Sequence, residues 1–338
     1  MPIGLGLCAS HAPSLFFSTY EGWERMHHIL NDGHPQPHET ELEDRATIED
    51  RIPRIKNNYG TLRKKIEDYG PDSLIVVLGD QREWFGAGNI PNIAIYTGPS
   101  SWGYHCTDSI DGQREDTVQG NNDYRVPVRT DEALSKSILA GLIQDGFDVG
   151  NLAGLDEEQQ ALGVPHGWSN LIPHILPDPN NPIPVVLVFV NVDDGPPVII
   201  NGERCLALGR SIANICDNTD KRIAIIGSGG MSHDPKGPRS GWVDEPLDNW
   251  FMKQIIDGTP ENMKAMFRFR SENFVGGTGE LRCWITVAGT IDQLNKGQKG
   301  TKVDYIAARK VTSGVGWAFW DLPPDRIGSD QNGAKITK

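Results

Sequence analysis

A chain of 338 residues, 38% of them hydrophobic and 23% charged, has enough apolar material for one large α/β domain or two small ones with a sizeable core. Its 32 Lys and Arg stand against 45 Asp and Glu, and the formal charge of −13 argues against nucleic acid or an anionic membrane as partner. The same field opposes an acidic substrate, so a carboxylate ligand would need a local Arg or Lys in its pocket.

The 38 Gly and 23 Pro place much of the chain in turns and loops, where sites often lie. Five cysteines, at positions 8, 106, 205, 216 and 283, have no CxxC spacing and read as buried thiols rather than a disulfide framework or zinc knuckle. The first ten residues lack the basic start and long apolar run of a secretory signal, and no later stretch approaches a membrane span. A cytoplasmic location is expected.

Residues 3–8 form a short apolar run that ends at Ser10-His11-Ala12-Pro13, where the proline stops a central strand and leaves His11 at its C-terminal end. Residues 18–43 are polar, with Trp23, four histidines and two prolines, and suggest a loop or short helices rather than core, a lid in form. Over 44–69 the spacing of Ile48, Ile52, Ile55, Tyr59, Leu62 and Ile66 predicts an amphipathic helix despite Pro53, closed by Gly70.

Residues 73–78 read as a buried parallel strand running into Gly79-Asp80-Gln81. Strands are also expected at 93–96, 185–190 and 223–226, and helices at 131–144, 203–218, 245–257, 261–267 and 279–291, with 98–129 a surface excursion. Segments 302–310 and 316–320 read as edge strands. The rhythm is that of a single α/β domain over 1–338 with a mostly parallel central sheet flanked by helices, and ligands in such sheets gather beyond the carboxyl ends of the strands. His11, Gln81 and His233 all fall at such ends.

After the strand at 223–226 comes Gly227-Ser228-Gly229-Gly230-Met231-Ser232-His233. It lacks the lysine of a phosphate loop, and its glycines are expected to turn the backbone through positive φ and present His233 to a cavity. Glu280, in Gly276-Gly277-Thr278-Gly279-Glu280-Leu281, sits in the first turn of a predicted helix, where a carboxylate also suits the helix dipole. Trp23, Trp84, Trp102, Trp168 and Trp242 are candidates for the floor of an aromatic pocket, with core or interface packing the commoner role for any single one. His27, His28, His34 and His38 read as surface or lid residues rather than a metal cluster, and His105 and His174 belong to no motif.

Ser10-His11-Ala12-Pro13, the strand end at Asp80, Gly229-Gly230-Met231-Ser232-His233 and Gly279-Glu280-Leu281, in this order, resemble the class III extradiol ring-cleavage dioxygenases, the superfamily of the protocatechuate 4,5-dioxygenase catalytic subunit. The similarity covers most of the chain. It implies a non-haem Fe(II) held by two histidines and a carboxylate, with open positions for an aromatic diol and O2. His11 matches the first histidine ligand and Glu280 the carboxylate. His233 resembles the family's acid/base histidine, and His166, in Gly163-Val164-Pro165-His166-Gly167-Trp168, a further pocket histidine that contacts substrate or oxygen. Some relatives carry a small partner subunit, and self-association through edge strands or tryptophans is a further expectation.

The sequence departs from the family at the second ligand, where Asp-His is replaced by Asp80-Gln81-Arg82-Glu83. Gln81 can offer a neutral amide oxygen, and Glu83, His105 or a water are the alternatives. Two competing functions follow from this substitution: a divalent-metal hydrolase or lyase on the same scaffold, and a non-catalytic relative.

Overall fold

The computed structural model describes residues 2–86, 88–106, 125–192, 200–269 and 271–323. Part of the excursion expected at 98–129 lies outside these residues. The strands are β1 (Ile3–Ala9), β2 (Ser73–Leu78), β3 (Ile93–Tyr96), β4 (Ser101–Tyr104), β5 (Arg125–Val128), β6 (Gly150–Leu152), β7 (Val185–Val190), β8 (Ile223–Ser228), β9 (Thr301–Ala308) and β10 (Ser313–Asp321). Eight of them form one sheet in the order β6-β3-β7-β2-β8-β1-β10-β9, while β4 and β5 pair separately.

The four central strands β7, β2, β8 and β1 are mutually parallel, and β3, β10 and β9 join antiparallel to their inner neighbours. β2 shows why the sequence folds this way. Leu74, Val76 and Leu78 face one apolar core, and Ile75 and Val77 face the other, so both faces of the strand are covered. Each fully buried aliphatic side chain contributes roughly 1.5–3 kcal/mol relative to exposure.

The helices are α1 (Tyr20–Asn31), α2 (His38–Glu41), α3 (Arg45–Tyr69), α4 (Glu132–Gln144), α5 (Glu157–Leu162), α6 (His166–Ser169), α7 (Ile172–Ile175), α8 (Gly202–Cys216), α9 (Glu245–Asp257) and α10 (Leu281–Leu294). α3 lies on the first face through Ile55, Tyr59 and Leu62, and α8 and α10 cover the second through Leu206, Ile212 and Ile285. The Asp44 side chain caps α3 by accepting from Thr47 N at 2.9 Å, and Gly70 ends it at φ 59°, so the helix runs through Pro53 as expected. Among the described residues, no helix is long and apolar enough to cross a membrane.

Three expectations change. Segment 316–320 belongs to β10, which lies inside the sheet between β1 and β9, so of the two segments expected at an edge only the one in β9 lies there. The helix expected over 261–267 is a 3-10 segment, Pro260–Ala265. Residues 18–43 are not purely superficial, because α1 buries Trp23 and Met26 in the main core, together with His27. The five cysteines are all buried, as expected.

Candidate active site

β8 is hydrogen-bonded to β1 on one side and β2 on the other, all three parallel, so their carboxyl ends open side by side. His11 follows β1, Gln81 follows β2 and His233 follows β8. The end of β1 is tied down by Ser10, which exchanges hydrogen bonds with Gly316 and accepts on its carbonyl from Tyr59 Oη at 2.8 Å.

His11 is 3% exposed. Its Nδ1 lies 2.9 Å from Ser228 Oγ, and Ser228 donates its only hydroxyl proton to Gly167 O. Ser228 therefore accepts from His11, which places the ring proton on Nδ1 and the lone pair on Nε2. Burial pulls the imidazole down to about 4, against the raising influence of Glu280.

Glu280 closes a 3-10 turn, Gly276–Glu280, that leads into α10. The buried guanidinium of Arg282 holds this turn, donating to Gly279 O, Val192 O and Ile200 O. Glu280 Oε1 faces His11 Nε2 at 3.6 Å and accepts from Gln81 Nε2 at 2.5 Å. Its Oε2 accepts from Gly230 N and faces His233 Nε2 at 3.7 Å. Burial opposes ionisation of this carboxyl, but the neighbouring imidazoles of His11 and His233 and the Gly230 N–H outweigh it and hold it below the usual range.

His233 donates from Nδ1 to Met231 O at 2.9 Å, since that carbonyl can only accept. Its backbone N donates to Thr278 Oγ1 at 3.0 Å, joining the two Gly-rich loops. In the loop that carries His233 the glycines work through space rather than through positive φ, since neither Gly229 nor Gly230 has a left-handed backbone. A Cβ on Gly229 would lie 2.7 Å from Glu280 Cβ, one on Gly230 2.6 Å from His233 Cε1, and one on Gly277 1.9 Å from His233 Nε2.

His166 stands beside His11, with ring centres 5.1 Å apart and planes at 80°. Its Nδ1 is 3.1 Å from Glu83 Oε1, and its backbone N donates to Glu83 Oε2 at 2.8 Å. Glu83 therefore meets a histidine, a partner 83 residues away that local spacing could not reveal.

These side chains line one cavity of about 530 Å³, within the ordinary range of small-molecule sites. Its apolar walls are aliphatic, with Met26 and Leu30 of α1, Leu162, Val192 and Val311. The five tryptophans proposed for its floor do not line it. Trp23, Trp84 and Trp168 are core residues, Trp102 is half-buried, and Trp242 is exposed. His105 and His174 also lie outside it, and His174 stacks on Phe16. Arg82 and Lys236, which composition did not single out, supply positive charge at its exposed rim. Gln81, Arg82, Lys236 and Thr312 line the cavity and are four of the six left-handed non-glycine residues among those described. Such strain gathers at functional sites.

Among the described residues, no three His, Cys, Asp or Glu side chains meet at ligand distance as they stand. The donor set nevertheless suits a cation. His11 Nε2 and Glu280 Oε1 are lone-pair atoms facing each other across 3.6 Å, and Gln81 Oε1 is buried without a hydrogen-bond partner. Two ligands each about 2.1 Å from one ion lie roughly 3.0–3.6 Å apart at angles of about 90–120°.

The fold is that of an α/β protein whose parallel strand ends bring two imidazoles to one cavity with a carboxylate. The chain belongs to the family described as the catalytic LigB subunit of aromatic ring-opening dioxygenase, whose model matches residues 6–316. It is 24% identical over 194 residues to a 2,3-dihydroxyphenylpropionate/2,3-dihydroxicinnamic acid 1,2-dioxygenase of Photorhabdus laumondii, covering 57% of this chain and 53% of that protein. It is 27% identical over 169 residues to a gallate dioxygenase of Pseudomonas putida, covering 49% and 47%. The chain thus spans about half the length of the curated relatives it matches. A crystal structure of an uncharacterized Escherichia coli K12 protein superposes with a TM-score of 0.46 at 12% identity, over 94% of this chain and 99% of that one.

Proposed function

We propose that this protein is an iron(II)-dependent dioxygenase that opens the ring of an aromatic diol with O2, and that His11, Glu280 and Gln81 hold the metal. The observation that carries the reading is the pairing of His11 Nε2 with Glu280 Oε1 across 3.6 Å, both acceptors, with the His11 proton held away by Ser228. Iron so held would bring diol and O2 together and give them an electron path.

The chain's own residues would supply the rest. His233, with its proton on Nδ1, offers Nε2 to take a proton from a substrate hydroxyl and to return one later. His166 faces the same cavity beside His11 and would orient the substrate or oxygen. Met26, Leu30 and Val192 keep water from the ring, which makes α1 the lid side of the pocket. Arg82 and Lys236 would draw in an acidic substituent against the net charge of −13, and the Photorhabdus relative is named for a carboxylated diol.

Incubating the iron-reconstituted protein with a panel of catechols, with and without carboxylate side chains, tests this. The proposal expects O2 uptake with a product that gains both oxygen atoms. Silence across a broad panel would overturn it. The amide at position 81 favours a second reading, a divalent-metal hydrolase or lyase, because the family's second imidazole is missing there. Turnover with zinc or manganese that does not depend on O2 would select it.

A further inference from the structure

We propose that Glu83 is a positioning residue for His166, and that the Asp80-Gln81-Arg82-Glu83 turn is built to deliver its carboxylate. The inference rests on the ring-opening reading for its catalytic consequence, but not for its geometry. One carboxylate meets two groups of the same residue: Oε1 takes the ring at Nδ1, 3.1 Å away, and Oε2 accepts the main-chain N–H at 2.8 Å. A carboxylate oxygen can only accept, so a ring proton is held on Nδ1 and Nε2 is the acceptor nitrogen of the neutral ring.

The turn behind this grip is unusually constrained. Gln81 and Arg82 are consecutive left-handed residues, at φ 49° and 62°, where L side chains are disfavoured. Asp80 closes the turn with both oxygens, accepting from Trp84 N and Phe85 N at 2.9 Å each, and its carbonyl accepts from Glu83 N at 3.2 Å. Trp84 then reaches across to the segment that carries His166. Its indole donates to Gly163 O at 2.8 Å, and its carbonyl accepts from Gln159 Nε2 at 2.7 Å. Glu83 and His166 are therefore held at a set separation from both sides. His166 is coupled onward to His11, because Gly167 O is the acceptor for Ser228, which orders the His11 ring.

Glu83→Gln is the discriminating change. A carboxylate has two acceptors for the two N–H donors of His166, whereas an amide has one acceptor and one donor; because the backbone N–H cannot move its proton, the amide oxygen takes it, the NH2 faces the ring, and the ring proton shifts to Nε2. Nitrogen-15 NMR of the imidazoles in the 338-residue chain, before iron is added and with His166 assigned by its substitution, reads this directly. The wild-type chain should show His166 with its proton on Nδ1, and Glu83→Gln should lose that signature. Steady-state O2 uptake of the iron-loaded chain should then fall about 10²-fold in kcat/KM, with Tm and anaerobic Fe(II) affinity retained and partial recovery in Glu83→Asp but not in Glu83→Ala. A wild-type His166 protonated on Nε2, or a Glu83→Gln spectrum unchanged from wild type, would overturn the proposal. If the NMR signature switches while no diol is turned over by wild type, the positioning role stands and the ring-opening reading fails.

Discussion

His11 Nδ1 and Ser228 Oγ are 2.9 Å apart, and because Ser228 spends its own proton on Gly167 O, the imidazole has one tautomer available. A hydroxyl at the end of β8 thus sets the chemistry of a ring at the end of the neighbouring strand β1. Ser228→Ala should leave the fold intact but lower anaerobic Fe(II) affinity about 10–100-fold, the usual cost of losing a partner behind a metal ligand. Calorimetric titration checks this, and an unchanged affinity would contradict the role given to Ser228.

Gln81 sits where an imidazole is expected, with its amide nitrogen on Glu280 and its oxygen buried without a partner. Gln81→His should tighten Fe(II) binding by roughly tenfold or more if this position faces the ion, since imidazole outbinds a neutral oxygen. The same titration with the variant decides it. Equal or weaker binding would place the third donor elsewhere.

Gly277 has an ordinary negative φ, yet a Cβ there would sit 1.9 Å from His233 Nε2. Gly277→Ala should therefore push the His233 ring out of place and lower kcat by about 10²-fold or more, the scale of a lost acid/base group, with metal affinity little changed. O2-uptake kinetics beside a metal titration separates the two effects. Loss of metal in this variant would make His233 a ligand instead.

His174 is a stability probe remote from the cavity. Burial pulls its imidazole down to about 4 from 6.5, helped by His105, Arg63 and Lys56, and the ring stacks on Phe16 at 4.7 Å. The unfolded chain binds this proton near pH 6.5 and the folded chain near 4, so the stability it contributes is whole above pH 6.5 and is lost as pH falls toward 4. At pH 5 the loss is about 1–2 kcal/mol. His174→Phe should flatten the pH dependence of urea unfolding between pH 6.5 and 4, and a slope equal to wild type would contradict the assignment.

The parallel core was legible because strands buried on both faces read as unbroken runs such as Ser73–Leu78, and the prolines and glycines beyond them marked the ends that carry His11, Gln81 and His233. β10 was misplaced to an edge because a run such as Gly316 to Trp320 says that a strand is buried but not which strands flank it. The tryptophans misled for a similar reason, since large rings near strand ends fill core space as readily as they line pockets, and here Trp84 and Trp168 do so. The glycines around His233 were found by pattern but for a different cause, because close approach of Glu280 and His233 is invisible before the loops are brought together. Contacts such as Glu83 with His166 and Ser228 with His11 span 83 and 217 residues, and periodicity carries no signal over such distances.

Anaerobic titration of Fe(II) into the wild-type chain, His11→Ala and Glu280→Ala tests the central claim most directly. One tightly bound iron per wild-type chain, lost in both variants while their Tm is kept, is the result expected. Undiminished iron binding in either variant would contradict it.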